Sequence, residues 1–74
     1  MIEKQIEKVI CDFFGIEDVN DNLKMGDIEN WDSLGHIALI SEIERSLNIV
    51  FNTDEILSMK SVKEIKNKVK QLVG

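Results

Sequence analysis

The chain has 74 residues, no proline, four aromatic residues, a single cysteine and a formal net charge of −5. A chain this short builds one modest core and buries only roughly 60% of its unfolded surface, which excludes a deep catalytic cleft with a supporting shell. One cysteine excludes an internal disulfide and suits a reducing, cytoplasmic setting.

The charge is unevenly spread. Residues 1–55 hold 13 acids against 4 bases, and residues 56–74 hold five lysines against Glu64. An acidic body of this kind repels nucleic acid and anionic membrane surfaces and attracts basic protein partners. Lys60, Lys63, Lys66, Lys68 and Lys70 read as a solvated helix face. The start of the chain lacks the pattern of a signal peptide, and the run Ile37–Ile40 is too short to cross a bilayer.

The first predicted helix covers Ile2–Phe14, with Ile2, Ile6, Val9, Ile10 and Phe13 on one face and Gly15 as its stop. Cys11 falls off that stripe, near Lys4 and Glu7, as an exposed and incidental thiol. The segment 15–32 is long for a small domain. Asn20, Asp21, Asn22 and Gly26 favour turns there, and Ile16, Val19, Leu23, Met25 and Ile28 can anchor it.

A second helix is predicted over Ser33–Leu47, ended by Asn48. A short third helix is expected over Asp54–Met59, capped by Thr53. The fourth begins at Ser61, where Ser61-Val62-Lys63-Glu64 spells a capping box, and Val62, Ile65, Val69 and Leu72 form its stripe. The pattern predicts an all-α fold over residues 1–74: a small four-helix bundle of three longer helices and one short one, with a long first loop.

The stretch Trp31-Asp32-Ser33-Leu34-Gly35-His36-Ile37 carries the chemistry. Asp32 is a good N-cap, so Ser33 takes the first helical position. Free backbone N–H groups and the helix dipole favour an anion there, such as a phosphate ester. Leu39, Ile40, Ile43 and Leu47 share the core side of this helix, whereas Leu34 and Ile37 point largely away, with Ser41 and Glu44 beside them. Apolar side chains opposite the core, next to a reachable serine, form a contact patch.

Those residues resemble a known family. Asp32-Ser33-Leu34, then Ile37, Leu39-Ile40, Ile43-Glu44, Leu47, Val50-Phe51 and Met59-Ser61-Val62, are similar to the acyl carrier proteins over nearly the whole chain. The resemblance implies that Ser33 carries 4′-phosphopantetheine, placed there from coenzyme A by a phosphopantetheinyl transferase. It also implies that a ligase or transferase loads an acyl group as a thioester for downstream enzymes. Asp32 then serves transferase recognition. Leu34, Ile37, Ser41 and Glu44 face partners on the second helix, and Met59 lies near the arm.

The sequence departs from family members of fatty acid synthesis, whose second helix holds a denser run of acids; here Gly35, Ala38 and Arg45 interrupt it. The Trp31-to-His36 context is more like carriers dedicated to one pathway, such as surface-polysaccharide, amino-acyl or secondary-metabolite assembly. Asn52 stands where the family often has proline. A non-catalytic monomer, with no metal and no membrane insertion, is the resulting expectation.

Three rival readings are weighed against this one. Asp18, Asn20, Asn22 and Glu29 fall at positions 1, 3, 5 and 12 of a calcium loop, but position 6 is Leu23 where glycine is needed. A helical protein–protein adaptor without a prosthetic group uses the same apolar patch but does not need Ser33. An enzyme built on Ser33, His36 and Asp32 lacks an oxyanion site, and His36 is expected to point inward as a structural histidine.

Overall fold

The computed structural model describes residues 2–73 and is helical, with α1 Ile2–Phe14, α2 Ser33–Leu47, α3 Thr53–Ser58 and α4 Val62–Val73. The only extended pairing among the described residues is an isolated antiparallel bridge between Lys24 and Ser61.

Local chemistry sets the ends of α1 and α2. Gly15 turns left-handed at φ 68°, and the Ile16 N–H reaches back to the Cys11 carbonyl at 3.0 Å. Asn48 does the same after α2 at φ 56°, and the Ile49 N–H donates to the Glu44 carbonyl at 3.1 Å. Both are the wrapped C-terminus that glycine and asparagine permit.

Helix α1 packs on both α2 and α4. The core joins Ile6 and Ile10 of α1, Leu39, Ile40 and Ile43 of α2, and Val62, Ile65 and Val69 of α4, closed by Trp31, Phe51 and Met59. Phe14, rather than the expected Phe13, extends the α1 stripe inward. Steps of four from Ile6 through Ile10 reach Phe14, which packs on Trp31 at 5.4 Å between ring centroids. Phe13 is left partly exposed. Leu72 is likewise exposed at the far end of the predicted α4 stripe.

Helix α3 starts one residue earlier than expected, and its cap is Asn52 rather than Thr53. The Asn52 side chain accepts from the Glu55 N–H at 2.8 Å, while Glu55 accepts from the Asn52 N–H at 2.9 Å. Asparagine is as good an N-cap as threonine, and only from position 52 does Glu55 fall where it can complete the box. No residue of α3 is fully buried, so the helix hangs between Phe51 and Met59, which are.

The long loop is held by backbone bonds. Carbonyls of Leu23 and Asp21 accept from Val62 and Lys63 in the first turn of α4, at 2.9 and 3.1 Å, and the Met25 N–H donates to the Lys60 carbonyl at 2.9 Å. The loop therefore caps α4, a role added to that of Ser61, whose hydroxyl accepts from the Glu64 N–H at 3.2 Å.

The lysines of α4 are not all solvated. Lys66 is buried, and its ammonium bonds Glu7 of α1 at 2.6 Å and Asp21 of the loop at 2.7 Å. Lys70 pairs with Glu3 at 2.7 Å. The basic end of the sequence thus folds onto its acidic body, because opposite charges that meet at a partly dry seam attract more strongly than in open water. Cys11 is half-buried rather than exposed. Burial, then the nearby acids Asp18, Asp12 and Glu7, push its thiol up from the ordinary value, which suppresses thiolate chemistry.

Candidate functional site

Ser33 opens α2 and is exposed. Asp32 before it is extended, and its carboxylate accepts from the Gly35 N–H at 2.8 Å. The Asp32 carbonyl accepts from the His36 N–H at 2.8 Å. These bonds serve the third and fourth residues of the helix. The N–H groups of Ser33 and Leu34 stay at the open end of α2, where an anion is favoured.

Gly35 is required by a close approach. A Cβ there would sit 1.9 Å from the Asn30 carbonyl oxygen, so the loop crosses directly over the first turn. Behind that turn, the Trp31 indole N–H donates to Nδ1 of His36 at 3.0 Å. An indole N–H can only donate, so Nδ1 accepts and the ring proton sits on Nε2. Nε2 then donates to the Ile56 carbonyl in α3 at 2.8 Å. Both ring nitrogens face inward, so His36 is a structural histidine and not a base for Ser33. Trp31 and His36 are essentially without solvent exposure.

A surface groove of about 220 Å³ adjoins the serine, lined by Met25, Ser33, His36, Ile37, Leu57 and Lys60. Lys60 and Ser33 line the same groove, and a lysine beside the serine suits a phosphate. Lys60, Leu57 and Met25 were not singled out from sequence as site residues. Leu57 gives a signal only in retrospect, as an apolar residue on the outer side of a very short helix, 58% exposed.

The predicted contact residues divide. Leu34 is 80% and Ile37 50% exposed, and Ser41 is exposed on the same helix. Glu44 is half-buried, and its carboxylate accepts from the Phe51 N–H at 2.7 Å, so it holds the turn into α3. Met59 is not a surface residue. It is 1% exposed and fills the core where the chain leaves α3, because a flexible apolar side chain at the seam of loop, α3 and α4 gains most by burial.

The segment 18–29 does not take the shape of a calcium loop. Leu23 lacks the left-handed backbone that its position would need and packs against the core instead. The Asn20 side chain is committed to the Asn22 N–H at 2.9 Å. No cluster of three or more His, Cys, Asp or Glu placed to hold a metal occurs among the described residues. No helix among them is long and apolar enough to cross a membrane.

The four helices of the described residues, in this order and with a long first loop, have the fold of an acyl carrier protein. One solved structure with this fold is that of a Mycobacterium tuberculosis protein provisionally described as an acyl carrier protein. The two superpose with a TM-score of 0.85 at 22% sequence identity, over 96% of this chain and 97% of the other. No family model matches the sequence. No curated protein sequence matches it significantly.

Proposed function

We propose that the protein, as a single domain over residues 1–74, is a non-catalytic, stand-alone carrier that holds an acyl group as a thioester on a 4′-phosphopantetheine arm attached to Ser33. The observation that carries this reading is the exposed Ser33 hydroxyl at the first position of α2, beside a groove shared with Lys60, in a chain with the acyl carrier protein fold. The residues present suit such a group. The open N–H donors of the helix start and the Lys60 cation favour a phosphodiester, and the exposed hydroxyl is within reach of a transferase.

Attachment joins the Ser33 oxygen to the pantetheine-bearing phosphorus of coenzyme A. The serine proton is lost, and the bond to the departing adenosine 3′,5′-bisphosphate breaks. When present, the arm supplies a thiol for the thioester. Asp32 keeps the helix start in place for this transfer, and Leu34, Ile37 and Ser41 present the surface that a transferase, a loading ligase and downstream enzymes read. Gly35, Ala38 and Arg45, which interrupt the acids of α2, favour a dedicated pathway such as polysaccharide, amino-acyl or secondary-metabolite assembly over fatty acid synthesis.

The test is intact mass after incubation with coenzyme A, magnesium and a broad-specificity phosphopantetheinyl transferase, with Ser33→Ala alongside. A gain of one phosphopantetheine on the parent and none on the variant is expected. No gain on the parent, in an assay that modifies a known carrier, overturns the reading in favour of an adaptor that binds partners through the same patch.

A further inference from the structure

We propose that Trp31 and His36 seal the bundle beneath Ser33, so that the cargo stays outside the core. This rests on the carrier reading of Ser33. The groove beside Ser33 is the opening nearest the attachment point, and His36 is the one buried residue among those that line it. That ring is tied on one side to Trp31 at 3.0 Å and on the other to the Ile56 carbonyl at 2.8 Å. It therefore ties α2 to α3 directly behind the groove.

Trp31 fills the space behind it, with its ring stacked 6.2 Å from the His36 ring and 5.4 Å from Phe14. Parting these groups would strand an indole N–H, an imidazole and a backbone carbonyl in a dry interior. Each costs more than one methylene gains by burial, so the first few carbons of a chain cannot offset the opening. Outside the seal, the groove of about 220 Å³ is smaller than the roughly 300–1,000 Å³ of pockets that enclose a ligand. Its rim residues Ile37, Leu57 and Lys60 are exposed, so it is an open shelf and not an enclosing pocket.

The experiment transfers acetyl- and octanoyl-phosphopantetheine from the corresponding coenzyme A thioesters with the same transferase. Intact mass, Tm and the nitrogen–proton resonance of the Trp31 indole are read on each product. Trp31 is the sole tryptophan, so its indole signal is unambiguous. The expected result is one indole position and a Tm equal to within about 1 °C for both products. A Tm raised by octanoyl alone, or an indole resonance moved by octanoyl alone, overturns the sealed core while leaving the carrier intact. No mass gain with either thioester overturns the carrier reading, and this inference with it.

Discussion

The indole of Trp31 and the imidazole of His36 share a hydrogen bond of 3.0 Å, although Ser33 lies between them in the chain and faces solvent. The bond staples the last residue but one of the loop to the first turn of α2. His36 passes the restraint on to α3 through the Ile56 carbonyl. The exposed serine thus stands on a helix start that is hydrogen-bonded to both the loop and α3.

Replacing Trp31 by Phe keeps an aromatic body but removes the only donor to Nδ1 of His36. An unpaired buried polar group costs about 1–3 kcal/mol. Urea unfolding of Trp31→Phe is expected to show a lower midpoint with little change in slope. An unchanged midpoint would mean the bond adds nothing to stability.

Gly35→Ala places a methyl where the Asn30 carbonyl already sits, 1.9 Å from the ideal Cβ. The obstacle is backbone, so the crossing between loop and α2 must shift. A loss of about 1–3 kcal/mol is expected, together with slower modification of Ser33 by a transferase. Time courses of mass gain for parent and variant check the second effect, and thermal unfolding checks the first.

The ion pairs of α4 and of the first loop set a pH profile. Asp21 is held below its ordinary 3.8, chiefly by the hydrogen bond from Lys66. Asp27 is held below the same value, chiefly by Lys24, and Glu3 below 4.5, chiefly by Lys70. Burial alone would lower the Lys66 ammonium, but the hydrogen bonds with Asp21 and Glu7 outweigh it and hold the group above 10.5.

In the acid window the unfolded chain binds more protons than the folded one, so stability rises with pH and is complete above the ordinary carboxylate values. The Lys66 contribution has the opposite sign. It is complete below 10.5 and is lost as pH rises through the higher folded value. Cys11, whose thiol is held above its ordinary 9.0, adds a loss of the same sign that begins there. Tm against pH is therefore expected to show a plateau from about pH 5 to pH 9 that falls at both ends. Lys66→Met should reduce the alkaline fall to the Cys11 part and weaken the acid one. The acid limb should shrink further in high salt, because the carboxylates involved are exposed.

Leu34 and Ile37 should separate binding from folding. Both are exposed, so Leu34→Ala and Ile37→Ala are expected to change stability by no more than about 0.5 kcal/mol. Under the proposed function they slow phosphopantetheine transfer to Ser33, seen as a raised KM for the carrier in a transferase assay. Parent-like transfer kinetics in both variants would remove these residues from the recognition surface.

The sequence by itself determined what depends on residues within about four positions of one another. The apolar steps of α1, α2 and α4 marked the helices. Gly15 and Asn48 ended two of them, and Asp32 placed Ser33 at the start of α2. Such features rest on backbone bonds and caps that close inside one or two turns, so their chemistry is written in adjacent letters. The α3 cap differs by one residue from the sequence expectation of Thr53 because Asn52 and Thr53 are both competent caps, and Glu55 completes a box only with Asn52.

Tertiary structure alone decided the rest. Lys66 is an ordinary tail lysine in the sequence, and it becomes a buried clamp because Glu7 and Asp21, 59 and 45 residues away, meet it. Met59, expected near the arm, lies in the core, and the loop caps α4, for the same reason. His36 was placed inward by its helical position, but its partner Ile56 lies 20 residues on, and the sealed floor beneath Ser33 exists only where α2 and α3 meet. A buried polar group must find its partner wherever the packing puts one, and that partner's distance along the chain leaves no periodic trace in the sequence.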